Sequence, residues 1–267
     1  MSTEFNTVPN ISDLLDRMLL AKRAAEGDRE IVGGATWRAS KLGSCLRQQY
    51  LEFFLKQPKL EEFSALSLRR FEVGHQWGRQ FSKWLRELGY VVDEEVQLYD
   101  EELDVGAHGD YIVSHGDEAE FGIELKSVSS QWFWNRTNSG ETTASPDHLM
   151  QTATYKVLWR RHNPDIPWIV LTVSKDDLTL IQDDITETHC DMALDRLRIL
   201  NEAKVIGPPP CTCLDDWHWR YCGYYAGSDE SKKTQHSVPI EGEFYKNGKQ
   251  KYKKIYKPDG ECCVIKN

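Results

Sequence analysis

Two runs rich in β-branched and aromatic residues, Val105 to Val113 and Ala119 to Val128, flank the turn-like Ser114-His115-Gly116-Asp117-Glu118. They read as a β-hairpin. A hairpin symmetric about Asp117 sets Asp110 directly across from Glu124. Directly opposed β-carbons lie roughly 4.5–5.5 Å apart, and like charges at that spacing repel. Glu124 and Lys126 are two apart and share one face of their strand. Gly122-Ile123 and Val128 point to a partly buried strand, where unpaired charge is costly. Two carboxylates and an ammonium on one patch therefore suit a divalent cation; an ordinary solvated hairpin is the alternative.

The chemistry this patch fits is phosphodiester hydrolysis. Hard cations such as Mg²⁺ or Mn²⁺ prefer oxygen ligands, polarise phosphate and lower the pKa of an attacking water. A neighbouring lysine can orient that water or stabilise charge in the transition state. Upstream, His75 falls in one long helix expected over Ser67 to Leu88, with apolar residues at Leu68, Phe71, Trp77, Phe81, Trp84 and Leu85. It is either a packed or surface histidine or a ligand, and an imidazole ligand would favour Mn²⁺. Downstream, Ser145-Pro146 opens a helix to about Arg161. Gln151 and Tyr155, four apart, share a face of it. They could hold a phosphate or steady Lys126, or be a buried tyrosine beside a surface glutamine.

The order His75, Asp110 in GAHGDYIV, Glu124-Leu125-Lys126 in GIELKSV, and Gln151 with Tyr155 in QTATY resembles the PD-(D/E)XK nuclease superfamily. Within it, the likeness is to RecB-like exonucleases of the CRISPR-associated and phage-borne iron–sulfur branch, over roughly Ala39 to Tyr224. The resemblance implies an α/β (α+β) restriction-endonuclease-like core with a central mixed sheet, and metal-dependent hydrolysis at DNA ends. By the same resemblance His75, Asp110, Glu124 and the Leu125 carbonyl would bind Mn²⁺ or Mg²⁺. Lys126 would be the catalytic lysine, and Gln151 and Tyr155 the family's helix motif.

Seven cysteines are present, and four are placed suggestively. Cys45 sits in SKLGSCLRQQYLEF, which looks like the N-terminal cysteine segment of the iron–sulfur branch. Cys211, Cys213 and Cys222 follow in PPPCTCLDDWHWRYCGYY. Four thiolates are the usual ligand set of a [4Fe–4S] cluster, which here would clamp the fold. The spacing departs from the family's: C-x-x-C is replaced by C-x-C, and Cys222 follows nine residues later. A Zn²⁺ site and metal-free thiols are the competing readings. Cys190 reads as a core thiol, and the adjacent Cys262-Cys263 are not expected to pair.

The 267 residues suit one large domain with a small appendage. The expected division is an N-terminal helix and linker (1–38), a nuclease domain with the cysteine cluster (39–226) and a basic β-hairpin appendage (227–267). No apolar run is long enough to span a bilayer, and no secretory signal is recognisable. The odd cysteine count points to a reducing cytoplasm. A net charge of −9 argues against a general nucleic-acid coating protein, though bound metal would make an acidic centre attractive to phosphate.

Further expected elements are helices over Ile11 to Ala25, from Ser40 through Cys45, and over Thr186 to Ala203. Strands are expected at Val91 to Leu98, Trp168 to Val173 and Leu178 to Gln182. Ser129 to Gly140 reads as a polar stretch whose Trp132, Trp134 and Arg136 either stack on bases or pack beneath it. Beyond Glu241, two turn signals suggest a small three-stranded meander ending near Cys262. Its lysines would guide DNA or guard a sheet edge. The function expected is a metal-dependent DNA exonuclease acting on single-stranded ends. The alternatives are a non-catalytic subunit of a recombination or CRISPR adaptation complex, and a site-specific endonuclease.

Overall fold

The computed structural model of the protein describes residues 10–26, 30–57, 64–116, 120–140, 142–213, 219–220, 222–228, 236–244 and 250–255. In chain order the elements are α1 (Ile11–Glu26), β1 (Trp37–Arg38), α2 (Leu46–Gln49) running into a π-helical turn (Tyr50–Phe54), and α3 (Ala65–Glu87). Then come β2 (Val91–Asp100), β3 (Val105–Ser114), β4 (Phe121–Val128), α4 (Ser130–Ser139), α5 (Pro146–Trp159), β5 (Trp168–Ser174) and β6 (Leu180–Asp184). Last are α6 (Glu187–Ile206), β7 (His236–Phe244) and β8 (Gln250–Ile255). The chain forms two compact units, one from Met1–Gly43 with Phe63–Asp195, the other from Ser44–Glu62 with Arg196–Asn267.

The first unit is built on a mixed six-stranded sheet in the order β1-β3-β4-β5-β6, with β2 also paired to β3. The β1–β3 and β4–β5 pairs are parallel, and the others antiparallel. This is the expected α/β architecture. One edge of β3 is shared. β4 pairs with it only at Tyr111, Ile112 and Val113, and β1 only at Val105 and Gly106. Between them lies a notch, and Asp110 sits at its rim. On the other edge β2 pairs with β3 nearly throughout, but Glu95 and Asp110 drop out of the ladder, and Glu95 takes a left-handed conformation (φ 51°). A non-glycine residue adopts that conformation only against steric cost.

Alternation along the strands divides their side chains between two helices. Tyr111 and Ile123 join Leu85, Val92, Val113 and Ile169 in a core cluster packed with Phe81 and Leu125. Tyr111 Oη donates to the carbonyl of Gly78 in α3 (2.8 Å). Glu124 turns instead toward α5, a helix buried almost all round from Leu149 to Tyr155. The expected cap of α5 is made, with His148 N–H donating to Ser145 Oγ (3.2 Å) ahead of Pro146.

The stretch after β4 is not an irregular polar segment but α4. Ser129 Oγ accepts from Trp132 N–H, and Gly140 closes the helix in the left-handed conformation. A serine N-cap and a C-terminal glycine stop are adequate helix signals. The helix that follows Cys45 begins at Leu46 rather than at Ser40, with Cys45 at its N-cap, because Ala39–Lys41 forms a separate 3₁₀ turn. Trp37, expected at the end of a linker, is fully buried and pairs in the central sheet. In the second unit β7 and β8 pair antiparallel. The Asn247-Gly248 turn and the expected third strand near Cys262 lie outside the described residues, as does Asp117 in the turn between β3 and β4. No helix among the described residues is long and apolar enough to cross a membrane.

Trp168 lies flat against Gly122, where a β-carbon would stand 2.2 Å from the indole ring. Gly122→Val is therefore expected to lower unfolding free energy by about 1–3 kcal/mol or more through overpacking, read as an earlier urea midpoint.

Candidate active site

The site forms where the β3–β4 ladder stops. The register Tyr111↔Ile123 makes Asp110 and Glu124 the next facing pair, as hairpin symmetry implied. Asp110 replaces a missing ladder bond: its Oδ2 accepts from Leu125 N–H (2.9 Å). β4 itself continues, paired to β5 as far as Val128, so Glu124 and Lys126 rest on a strand held from its other side.

Glu124 is the most constrained group, at 1% exposure. Its Oε1 accepts from Gln151 Nε2 (2.7 Å) and is ion-paired with Lys126 Nζ. Gln151 Nε2 also meets the Tyr155 hydroxyl. Tyr155 is buried with its ring edge-on to Trp168, centroids 5.6 Å apart. Glu124 Oε2 is sealed from solvent without a donor. The Asp110 carboxyl faces Glu124 across the strands, so the two repel whenever both are ionised. Burial first, and the Asp110 charge second, push Glu124 up to about 8. Burial likewise raises Asp110 against the opposing pull of Lys126. Burial disfavours the Lys126 charge, but Glu124 and Asp110 together outweigh it and raise its pKa.

Of the residues expected at the centre, Asp110, Glu124, Lys126, Gln151 and Tyr155 come together. His75 lies on α3, exposed, close enough for its charge to act on Asp110. Among the described residues it does not join Asp110 and Glu124 in one tight donor group. Leu125 contributes its backbone N–H to Asp110, while its side chain packs toward the core cluster. Two neighbours were not singled out in the sequence. Glu95, opposite Asp110, acts electrostatically on Tyr111 and Tyr155. His148 precedes Gln151 by one helical turn, a spacing visible in HLMQTATY. Trp132 lies under the Arg136 guanidinium, 5.4 Å from the ring centroid. Trp134 is partly exposed, with its indole N–H donated to Asp177.

Within the second unit, Cys45, Cys211 and Cys213 bring their sulfurs within 4.8 Å of one another, a group that could hold a metal ion. Cys45 and Cys211 sulfurs are 4.0 Å apart, too far for a disulfide. Gln48 Nε2 donates to Cys213 Sγ (3.2 Å). Cys222 is buried, stands outside that trio, and accepts from Tyr224 N–H (3.4 Å). Cys190 is a buried thiol that donates to the Ala153 carbonyl (3.9 Å).

The raised Glu124 pKa has a definite sign. The folded chain keeps a proton that the unfolded chain releases near 4.5, so this contribution is full below that pH and is lost as pH rises to about 8. His148, held down to about 3 by burial, works oppositely, but only below its unfolded value of 6.5. Between pH 6.5 and 8, metal-free protein should therefore lose stability, by at most about 1.4 kcal/mol per pH unit for one proton. Glu124→Gln should flatten that slope in urea titrations at the two pH values.

No protein-family model matches the chain, nor does any curated protein. Solved structures do show likeness. The crystal structure of SSO0001 is similar at 14% identity, covering 80% of this chain and 93% of that one, with a TM-score of 0.48. An alkaline exonuclease, LHK-Exo from Laribacter hongkongensis, is similar at 14% identity, covering 62% and 86%, with a TM-score of 0.44. The complex of LHK-Exo with dAMP is similar at 15% identity, covering 63% and 87%, with a TM-score of 0.45.

Proposed function

We propose that the protein is a divalent-metal-dependent deoxyribonuclease, an exonuclease of the PD-(D/E)XK type acting on single-stranded DNA ends. The observation behind this reading is Glu124: a buried carboxylate with one oxygen lacking any donor, beside the half-buried Asp110 carboxyl and a lysine. Two carboxylates sharing a site repel unless a cation or a proton joins them. Asp110 and Glu124 offer hard oxygen donors suited to Mg²⁺ or Mn²⁺, with His75 at the exposed margin. A cation held there supplies a Lewis acid for the phosphate and eases deprotonation of water.

The chain's own residues do the rest. Lys126, 24% exposed on its side chain, is held by Glu124 and keeps its charge between the acids. From there it can orient the attacking water or stabilise negative charge on the phosphate. Gln151 ties Glu124 and Tyr155 to one face of α5, fixing the carboxylate's orientation. The aromatic α4 follows the strand bearing Lys126, and partly exposed Trp134 offers a stacking surface for bases.

We further propose that Cys45, Cys211, Cys213 and Cys222 hold a structural metal group, a [4Fe–4S] cluster in preference to Zn²⁺. Three gathered soft ligands support a metal, and Cys222 in the same unit is the candidate fourth.

End-labelled single-stranded DNA incubated with anaerobically purified protein and Mn²⁺ should give laddering from one end. Lys126→Ala should slow it by about 10²–10³-fold or more while leaving the circular dichroism spectrum unchanged. Folded wild-type protein that cuts nothing with Mn²⁺ or Mg²⁺ would overturn the enzyme reading and favour an assembly subunit of a recombination or CRISPR adaptation complex. Iron and sulfide analysis with visible absorption tests the cysteines. Cys45→Ser and Cys222→Ser should each lose the cluster and lower the melting temperature; stoichiometric zinc in place of iron would replace the cluster by a tetrahedral site.

A further inference from the structure

β5 runs parallel to β4, and the register places Thr172 beside Lys126, with Val170 beside Glu124 and Ser174 beside Val128. Paired residues of neighbouring strands, about 4.8 Å apart, send their side chains to the same face. The face that carries Glu124 and Lys126 therefore also carries Thr172. Thr172 is fully buried, yet its Oγ1 has no hydrogen-bond partner among the described residues. Its neighbours on that face of β5 differ. Val170 has no polar side-chain group, and Ser174 Oγ is paired with Ser130 Oγ (2.7 Å). A sealed hydroxyl left idle is costly, and a valine would fill the same space without it. The hydroxyl is accounted for if its partner is a neighbouring side chain that changes partner in use.

Lys126 is that neighbour. Its ammonium carries three N–H donors and is ion-paired with Glu124 Oε1, which also accepts from Gln151 Nε2 (2.7 Å). One oxygen thus serves two donors. Asp110, whose charge acts on Lys126, accepts from Leu125 N–H (2.9 Å), and Gln151 is bonded to the Tyr155 hydroxyl. Glu124 and Asp110 are also the oxygen donors that a cation would draw on. A carboxylate turned to a cation is a weaker partner for lysine, because the two positive charges repel. Thr172 offers a neutral oxygen committed to nothing else.

Resting on the nuclease reading above, we propose that Thr172 is a positioning residue for Lys126. Its hydroxyl accepts from the ammonium once Glu124 turns its carboxylate to the cation. A neutral acceptor fixes the ammonium without cancelling its charge, which stays available to the phosphate or the attacking water. Thr172 touches neither of them in this role and acts through Lys126 alone.

The test compares the full-length wild type with Thr172→Val and Thr172→Ser. Without metal, Thr172→Val should keep or raise the urea midpoint, since it removes only an idle hydroxyl. Thr172→Ser should lower it by leaving a methyl-sized gap. With Mn²⁺ and single-stranded DNA the order should invert. Thr172→Val should lose about tenfold in kcat, the scale of a hydrogen bond to a charged group, with KM unchanged, and Thr172→Ser should regain most of it. With Ca²⁺ in place of Mn²⁺, nuclear magnetic resonance of isotope-labelled protein reads the Lys126 ammonium, assigned by its absence in Lys126→Ala. That signal should be sharp in wild type and Thr172→Ser and broadened by exchange in Thr172→Val. Wild-type kcat in Thr172→Val would overturn the proposal, as would a Thr172→Val protein that fails to fold. Activity that follows stability across the two variants would overturn it as well. Each of these results leaves the nuclease reading intact so long as the wild type cuts DNA; a wild type that cuts none overturns both.

Discussion

A carboxylate at 1% exposure governs the architecture around it. Burying Glu124 is tolerable because Lys126 pairs with it, Gln151 donates to it and the Asp110 charge raises its pKa. Each partner sits on a different part of the fold: the same strand, the buried helix α5 and the neighbouring strand β3. Displacing any one element leaves a charge or a donor stranded in a low-dielectric interior, where it costs several times what it would at the surface. The placement of β3, β4 and α5 is thus tied to the electrostatics of one group.

That group could not sit in a continuous ladder. β3 is paired by β4 at one end and by β1 at the other, and the unpaired residues between them make room for Asp110 to turn its carboxylate onto the Leu125 N–H. The two-residue β1, anchored by the buried Trp37, matters beyond its length because it closes the lower half of that edge. On the opposite edge, the left-handed Glu95 interrupts pairing at the level of Asp110. Breaks in both ladders at one residue are how a sheet re-aims a side chain without losing the strand.

The two candidate ligand groups differ in chemistry and in unit. Oxygen donors on the sheet favour hard, exchangeable cations, whereas the sulfurs of Cys45, Cys211 and Cys213 favour soft, tightly held ones. The thiols also join segments far apart in sequence, Cys45 to Cys211 and Gln48 to Cys213. A metal clip closing so long a loop stabilises more than one closing a short loop, and both segments belong to the second unit.

Local signals determined much of this on their own. The period-two pattern and the turn composition set the hairpin register that faces Asp110 with Glu124, and the Ser145-Pro146 cap set the start of α5, hence the shared face of Gln151 and Tyr155. Such features depend on residues a few positions apart, and one chain segment is enough to specify them. The capping signals of α4 were equally local and were masked by its polar composition. Only the tertiary structure decided that Trp37 enters the central sheet, that β3 carries a notch, that Glu95 leaves its ladder beside Asp110, and that Cys45, Cys211 and Cys213 gather into one group. It alone decided, too, that a ring nitrogen of His148 is buried without a partner. Those facts arise from contacts between segments distant in sequence, whose geometry is set by packing and burial and by no periodicity within any one of them.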